Sequence, residues 1–140
     1  MAFSNVLNAV GARSGADAWA VGNYLGPNDD DGQVMPAEHW NGSAWSQVPT
    51  PNVVFFDEKL DAVSAAAAND VWAAGPAGGT TSILHFDGTL WAPETTPAGP
   101  DGQPVMAGIA AVPGSPTEVW AAGVTLPAGG GYHTFVVHHP

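Results

Sequence analysis

One hexapeptide is written almost three times in this chain. Asp17-Ala18-Trp19-Ala20-Val21-Gly22, Asp70-Val71-Trp72-Ala73-Ala74-Gly75 and Glu118-Val119-Trp120-Ala121-Ala122-Gly123 share an acid, a Trp, small or β-branched neighbours and a closing Gly. The three Trp residues stand 53 and 48 residues apart. A recurrence at that period belongs to arrays built from one repeated supersecondary unit. An apolar stretch precedes each copy: Leu7-Asn8-Ala9-Val10, Leu60-Asp61-Ala62-Val63 and Ile109-Ala110-Ala111-Val112. A histidine segment follows each: Glu38-His39-Trp40, Leu84-His85-Phe86 and Val137-His138-His139.

Each repeat reads as four short strands. The apolar stretch is the first and the Trp hexapeptide the second, since Trp and Val suit a pleated, half-buried surface and the terminal Gly accepts backbone angles other residues resist. The third runs through 36–40, 82–86 and 133–139. Asn41-Gly42 and Asp87-Gly88 predict two-residue type I′ turns into a fourth strand at Trp45-Ser46-Gln47-Val48 and Trp91-Ala92-Pro93. No segment joins helical apolar periodicity to a capping signal, which makes the chain all-β. The stretch 65–68 is too short to nucleate a helix alone.

The combination Asp-x-Trp-Ala-Val-Gly followed by His-Trp-Asn-Gly-x-x-Trp resembles the blade repeat of bacterial β-propeller proteins, similar to Asp-box, tectonin and kelch-like blades. The resemblance spans a single repeat domain, 1–140, with blades at about 7–52, 60–97 and 109–140. It implies a four-stranded antiparallel sheet per repeat, with the first strand at a central channel and the fourth at the rim. A β-trefoil is the alternative all-β fold, because it also holds three four-stranded repeats in about this length. The third repeat ends before a fourth strand, and 1–6, which reads like 44–48, is a candidate closing strand. Three blades fall short of the four to eight of a closed propeller. The expected partner is therefore the chain itself, as a homo-oligomer whose simplest form is a six-bladed dimer.

Composition narrows the ligand. Thirteen acids face only two bases, Arg13 and Lys59, for a formal net charge of -11. Without a basic footprint, neither nucleic acid nor an anionic membrane surface is an expected partner. Cysteine is absent, which excludes disulfides, thiolate metal sites and a Cys nucleophile. Scarce Lys with abundant Ala, Gly and Pro fits an extracellular or secreted bacterial protein, although residues 1–5 lack the basic and apolar pattern of a signal peptide.

Few residues carry a chemical signal. Asp29, Asp30 and Asp31, next to Gly32, are the candidate metal site, since Ca²⁺ wants several oxygens around a tight turn. They otherwise read as a solvated loop, and no other cofactor is implied. Trp40, Trp45 and Trp91 are candidate ligand-binding faces for stacking a sugar ring, with a structural role as the competing reading. Trp19, Trp72 and Trp120 read as core. His39, His85 and His138 recur at one repeat position, which spreads them around a ring rather than gathering them on a metal; a repeated structural role is expected. Asp17, Asp70 and Glu118 are expected to bond the turn between the first two strands. Asn8 and Asp61 are candidates for a polar channel wall.

No catalytic residue is assigned. No nucleophile motif, phosphate loop or metalloprotease helix is present. The expected function is a non-catalytic binding or scaffold module, its ligand a glycan or protein held by loops on a propeller face in a lectin-like manner. One alternative is a propeller-type glycoside hydrolase or lyase drawing on loop acids such as Asp29, Asp57, Glu58, Glu94 and Asp101. Another is an engineered or excised blade array with no function beyond self-assembly.

Overall fold

The computed structural model describes residues 4–25, 36–51, 59–77, 80–95, 103–115 and 117–140. Among the described residues eleven strands form three antiparallel sheets. The first holds β1 (Ser4–Ser14), β2 (Asp17–Leu25), β3 (Ala37–Trp40) and β4 (Trp45–Val48). The second holds β5 (Ala62–Ala67), β6 (Asp70–Ala77), β7 (Thr80–Phe86) and β8 (Trp91–Glu94). The third holds β9 (Gln103–Ala111), β10 (Val119–Leu126) and β11 (His133–His139). Within each sheet the strands lie side by side in chain order.

The sheets stack in a row. Strand β1 meets β5, and β5 meets β9. Two apolar layers fill the gaps. Between the first two sheets lie Trp19, Val21 and Ala37 on one side and Leu60, Val71, Ala73, Leu84, Phe86 and Trp91 on the other. Between the second and third, Trp72, Ala74 and Ile83 meet Met106, Val119 and Ala121. Period-2 alternation accounts for both layers, since residues 71 and 73 face back to the first sheet while 72 and 74 face forward to the third. Hydrogen bonds cross the same gaps: Leu60 N–H donates to the Gly22 carbonyl at 3.0 Å, and Ala111 N–H to Ser64 Oγ at 3.0 Å.

The closing Gly of each hexapeptide has a steric reason. A Cβ on Gly22, Gly75 or Gly123 would lie 1.8, 2.0 and 2.0 Å from the carbonyl oxygens of Val6 in β1, Lys59 just before β5 and Val105 in β9. These three contacts also fix the repeat register, making Leu7, Leu60 and Met106 equivalent. The stretch of β9 equivalent to 7–10 and 60–63 is therefore 106–109, three residues earlier than the 109–112 assignment read from the sequence. Small residues at 107, 108, 110 and 111 let that alignment slide; the close approach at Gly123 does not.

Two further expectations change. The hairpins between third and fourth strands pair Trp40 with Trp45 and Phe86 with Trp91, so each loop has four residues rather than two. Asn41 Oδ1 accepts from the N–H groups of Ser43 and Ala44, and Asp87 Oδ1 from those of Thr89 and Leu90, while Gly42 and Gly88 take φ of 95° and 98°. The polar side chain thus caps the turn from outside its tip. Residues 4–6 are not a separate closing strand: Ser4, Asn5 and Val6 run directly into Leu7 as the start of β1, opposite Leu25, Tyr24 and Asn23.

Candidate functional site

The recurring acid, Trp and histidine of each repeat converge. In each sheet the Trp of the second strand lies directly across from the histidine of the third: Trp19 from His39, Trp72 from His85 and Trp120 from His138. The paired rings stack, with centroids 4.6, 4.2 and 4.2 Å apart and interplanar angles of 27°, 20° and 19°. The acid two residues before the Trp closes the unit. His39 Nε2 lies 2.9 Å from Asp17 Oδ1, His85 Nε2 3.0 Å from Asp70 Oδ1, and His138 Nε2 3.1 Å from Glu118 Oε1. A carboxylate can only accept, so each Nε2 carries its hydrogen.

The three units differ in their remaining bonds. In the second sheet Trp72 Nε1–H also donates to Asp70 Oδ1, at 2.7 Å. In the first, Asp17 Oδ2 instead receives Arg13 through its Nε at 2.8 Å and through its Nη2, and the Trp19 indole N–H is buried without a partner among the described residues. Burial of Asp17 works to raise its pKa, but the bonds and charges of His39 and Arg13 outweigh it and hold the carboxyl below its usual 3.8. The acids therefore bond the histidines rather than the turn between the first two strands as expected, and the histidines have the repeated structural role read from their spacing. Their three copies are distributed one to a sheet, which makes them a repeated frame and not a single reactive constellation.

Other expected residues separate in the structure. Trp19 and Trp72 are buried at 1% and 2% exposure, whereas Trp120 is 46% exposed, contrary to its reading as core. Among the described residues no further sheet lies against its face of the third sheet. Trp91, read as a ligand-binding face, is 3% exposed and packs edge-on against Trp19, centroids 5.4 Å apart. Trp40 is half-buried and gives its indole N–H to the Gly15 carbonyl at 3.1 Å; Trp45 beside it is exposed, and their centroids lie 5.7 Å apart. Asn8 Nδ2 reaches the Leu60 carbonyl at 3.1 Å and Asp61 Oδ1 at 3.2 Å, tying the first sheet to the second. Lys59 Nζ lies 2.9 Å from Asp61 Oδ2 and offsets its charge.

Asp29, Asp30 and Asp31 lie outside the described residues, as do Asp57, Glu58 and Asp101. Among the described residues no three His, Asp or Glu side chains gather as metal ligands. His138 and His139 face opposite sides of β11: His138 stacks on Trp120, while His139 approaches Trp72 and donates from Nδ1 to the Thr117 carbonyl at 3.2 Å.

The meander places the connections at two ends. Turns between first and second strands share one end with the third-to-fourth hairpins, where Gly42 abuts Ala16 and Gly88 abuts Asn69. The opposite end carries the connections between second and third strands. There the described loop 127–132 sets Gly130 and Gly131 at φ of 81° and 89° and presents Tyr132 at 73% exposure. Tyr132 has no counterpart in the other repeats, and only the Gly129-Gly130-Gly131 run before it hints at a presented side chain.

Comparison of the chain with protein-family models, with curated proteins and with solved structures found no match.

Proposed function

We propose that the chain is a β-propeller blade module whose role is non-catalytic binding or scaffolding, with a glycan or protein recognised by loops at one end of the blades. The observation that carries this reading is the stacking of three meander sheets through their first strands, β1 on β5 and β5 on β9, with a uniform acid–His–Trp unit in each. That is a rigid frame holding non-uniform connections. Rigid scaffolds concentrate recognition on such loops.

The recognition end is the one bearing the connections between second and third strands. The opposite end is closed by short turns braced against one another at Gly42 and Gly88. At the recognition end the connections range in sequence from the long 26–36 segment to the two residues 78–79 and the Gly-rich 127–132 loop. Tyr132 offers a large exposed aromatic face, of the kind that stacks on a sugar or a peptide side chain.

A glycan array and an affinity pull-down with the intact protein test the reading. Binding that Tyr132→Ala weakens while leaving the melting temperature unchanged supports it. Glycoside hydrolysis with no retained ligand in either assay defeats it.

A further inference from the structure

Among the described residues the row of sheets has two uncovered faces, and each repeats one side of an interface already formed inside the chain. On the outer face of the third sheet, Trp120, Ala122, Val136 and His138 stand where Trp19, Val21, Ala37 and His39 stand on the face of the first sheet that packs into the second. On the outer face of the first sheet, Val10, Ala20, Trp40 and Trp45 stand where Val63, Ala73, Phe86 and Trp91 stand on the face of the second sheet that receives Trp19. The aromatic pair is reproduced in spacing as well as position: ring centroids are 5.7 Å apart for Trp40 and Trp45 and 5.5 Å for Phe86 and Trp91. Within the chain, Trp19 packs at 4.7 Å from Phe86 and 5.4 Å from Trp91.

Both faces remain apolar while uncovered. Val10, Trp45, Trp120 and Val136 are exposed large hydrophobic residues. A groove of about 410 Å³ on the first sheet is lined by residues that include Leu7, Val10, Ala20, Glu38 and Trp45, and one of about 320 Å³ on the third by residues that include Trp120, Ala122 and Val136. Exposed apolar side chains grouped around a groove on each face offer surface for sheet-on-sheet packing.

We propose that the occupant of each face is a second copy of this chain, packed sheet on sheet, with Trp120 of one copy seated against Trp40 and Trp45 of the other. The inference rests on the blade reading above and names its interface. The contact is head to tail. Two copies carry two identical junctions related by a twofold axis, which closes the row into six sheets and leaves neither face open. Face-to-face packing replaces strand donation by 1–6 as the joining principle, since Ser4–Val6 are already paired within β1.

One position departs from the internal template. Glu38 occupies the place of Leu84, which is fully buried between the first and second sheets. A carboxylate at that point of the junction meets apolar surface and weakens it. Each copy also carries a formal net charge of -11, so added salt screens the repulsion between copies and strengthens association.

Light scattering over a concentration series tests the proposal on the intact protein. The wild type is expected at twice 14.2 kDa, with dissociation favoured at low salt. Trp120→Glu and, independently, Val10→Asp are expected to give a monomer of unchanged far-ultraviolet circular dichroism, because both side chains are exposed within one copy. Glu38→Leu is expected to tighten the dissociation constant about tenfold or more, the size expected for burying one aliphatic side chain in place of a charge. A wild-type monomer at every concentration, a mass other than two copies, or a dimer that survives both face variants overturns the proposal. A monomer that still binds its ligand on the glycan array overturns this interface alone and leaves the binding module standing.

Discussion

Trp72 and His85 stack with ring centroids 4.2 Å apart and both donate to one atom, Oδ1 of Asp70. The carboxylate is thereby held at two donors in the most buried of the three acid–His–Trp units; its side chain is 4% exposed, against 35% for Glu118. Removing Asp70 leaves the Trp72 indole N–H buried without an acceptor. Asp70→Ala is expected to cost about 1–3 kcal/mol, the desolvation penalty of a buried group left unpaired. Glu118→Ala, at the exposed end of the row, is expected to stay within about 1 kcal/mol. Urea denaturation of the two variants, in the Val10→Asp background that leaves all three units intact, checks the contrast.

Trp72 itself is the larger loss. It fills the gap between the second and third sheets with Ala74, Ile83, Met106 and Val119. Trp72→Ala is expected to destabilise by about 3–5 kcal/mol, the range for deleting a buried large aromatic side chain. In the same assay a cost below about 1 kcal/mol contradicts its role in the second core layer.

Acid should weaken the first sheet through Asp17. Its pKa in the folded chain lies below the ordinary 3.8, where burial alone would raise it, because His39 and Arg13 stabilise the charged form. A carboxyl with a depressed folded pKa contributes stability that is fully present above its unfolded value and is lost as pH falls through the folded one. The loss therefore begins below about pH 5 and is complete only below the folded pKa, beneath 3.8. Wild type and Asp17→Asn should converge in denaturation midpoint as pH falls from 5 to 2. A gap that stays constant across that range rejects the linkage.

The repeated glycines separate steric demand from mere flexibility. Gly75→Ala places a Cβ 2.0 Å from the Lys59 carbonyl oxygen, a collision with backbone that no rotamer relieves. The expected cost is at least the roughly 1–3 kcal/mol of an overpacked core site. Gly15, in the turn between β1 and β2, has nothing within 4 Å of an added Cβ, and Gly15→Ala is expected to lie within about 0.5 kcal/mol of wild type. Thermal melts of the pair decide whether close approach is the reason for Gly in the hexapeptide.

The sequence made the repeat and its strands legible because Trp and Gly carry local consequences: one fills a gap between sheets, the other permits close approach. It was silent about which copies of a residue would be covered. Trp45 and Trp91 share a Gly-x-x-Trp pattern, yet Trp91 is buried and Trp45 is exposed, because the first sheet lies over only the second of them. Trp19 and Trp120 differ for the same reason at the other end of the row. The pairing of acid with histidine was readable in principle, since both recur at fixed repeat positions; what hid it was the distance between them in sequence, which only strand register removes.

The hairpins offer an exchange that tests the capping role of their polar residue. Asp87 Oδ1 accepts from the N–H groups of Leu90 at 3.0 Å and Thr89 at 2.8 Å, and these bonds hold its carboxyl below the usual 3.8. Asn41 makes the equivalent pair of bonds, to Ser43 and Ala44, with no charge at all. The side-chain carbonyl oxygen, not the charge, is thus what the turn requires. Asp87→Asn is expected to preserve both the fold and the Phe86–Trp91 pairing beyond the turn, and Asp87→Ala to lower the melting temperature because the N–H groups of Thr89 and Leu90 lose their acceptor. Gly88→Ala is expected to cost at least about 1–2 kcal/mol, the penalty for placing an L side chain in the left-handed region its φ of 98° demands, with the added Cβ also only 2.7 Å from the Cβ of Asn69. Because Trp91 is buried in the first core layer against Trp19 and Phe86, the near-ultraviolet circular dichroism of the chain responds to a change of register in this hairpin. If Asp87→Asn shifts that signal as much as Asp87→Ala does, the charge rather than the acceptor oxygen holds the hairpin.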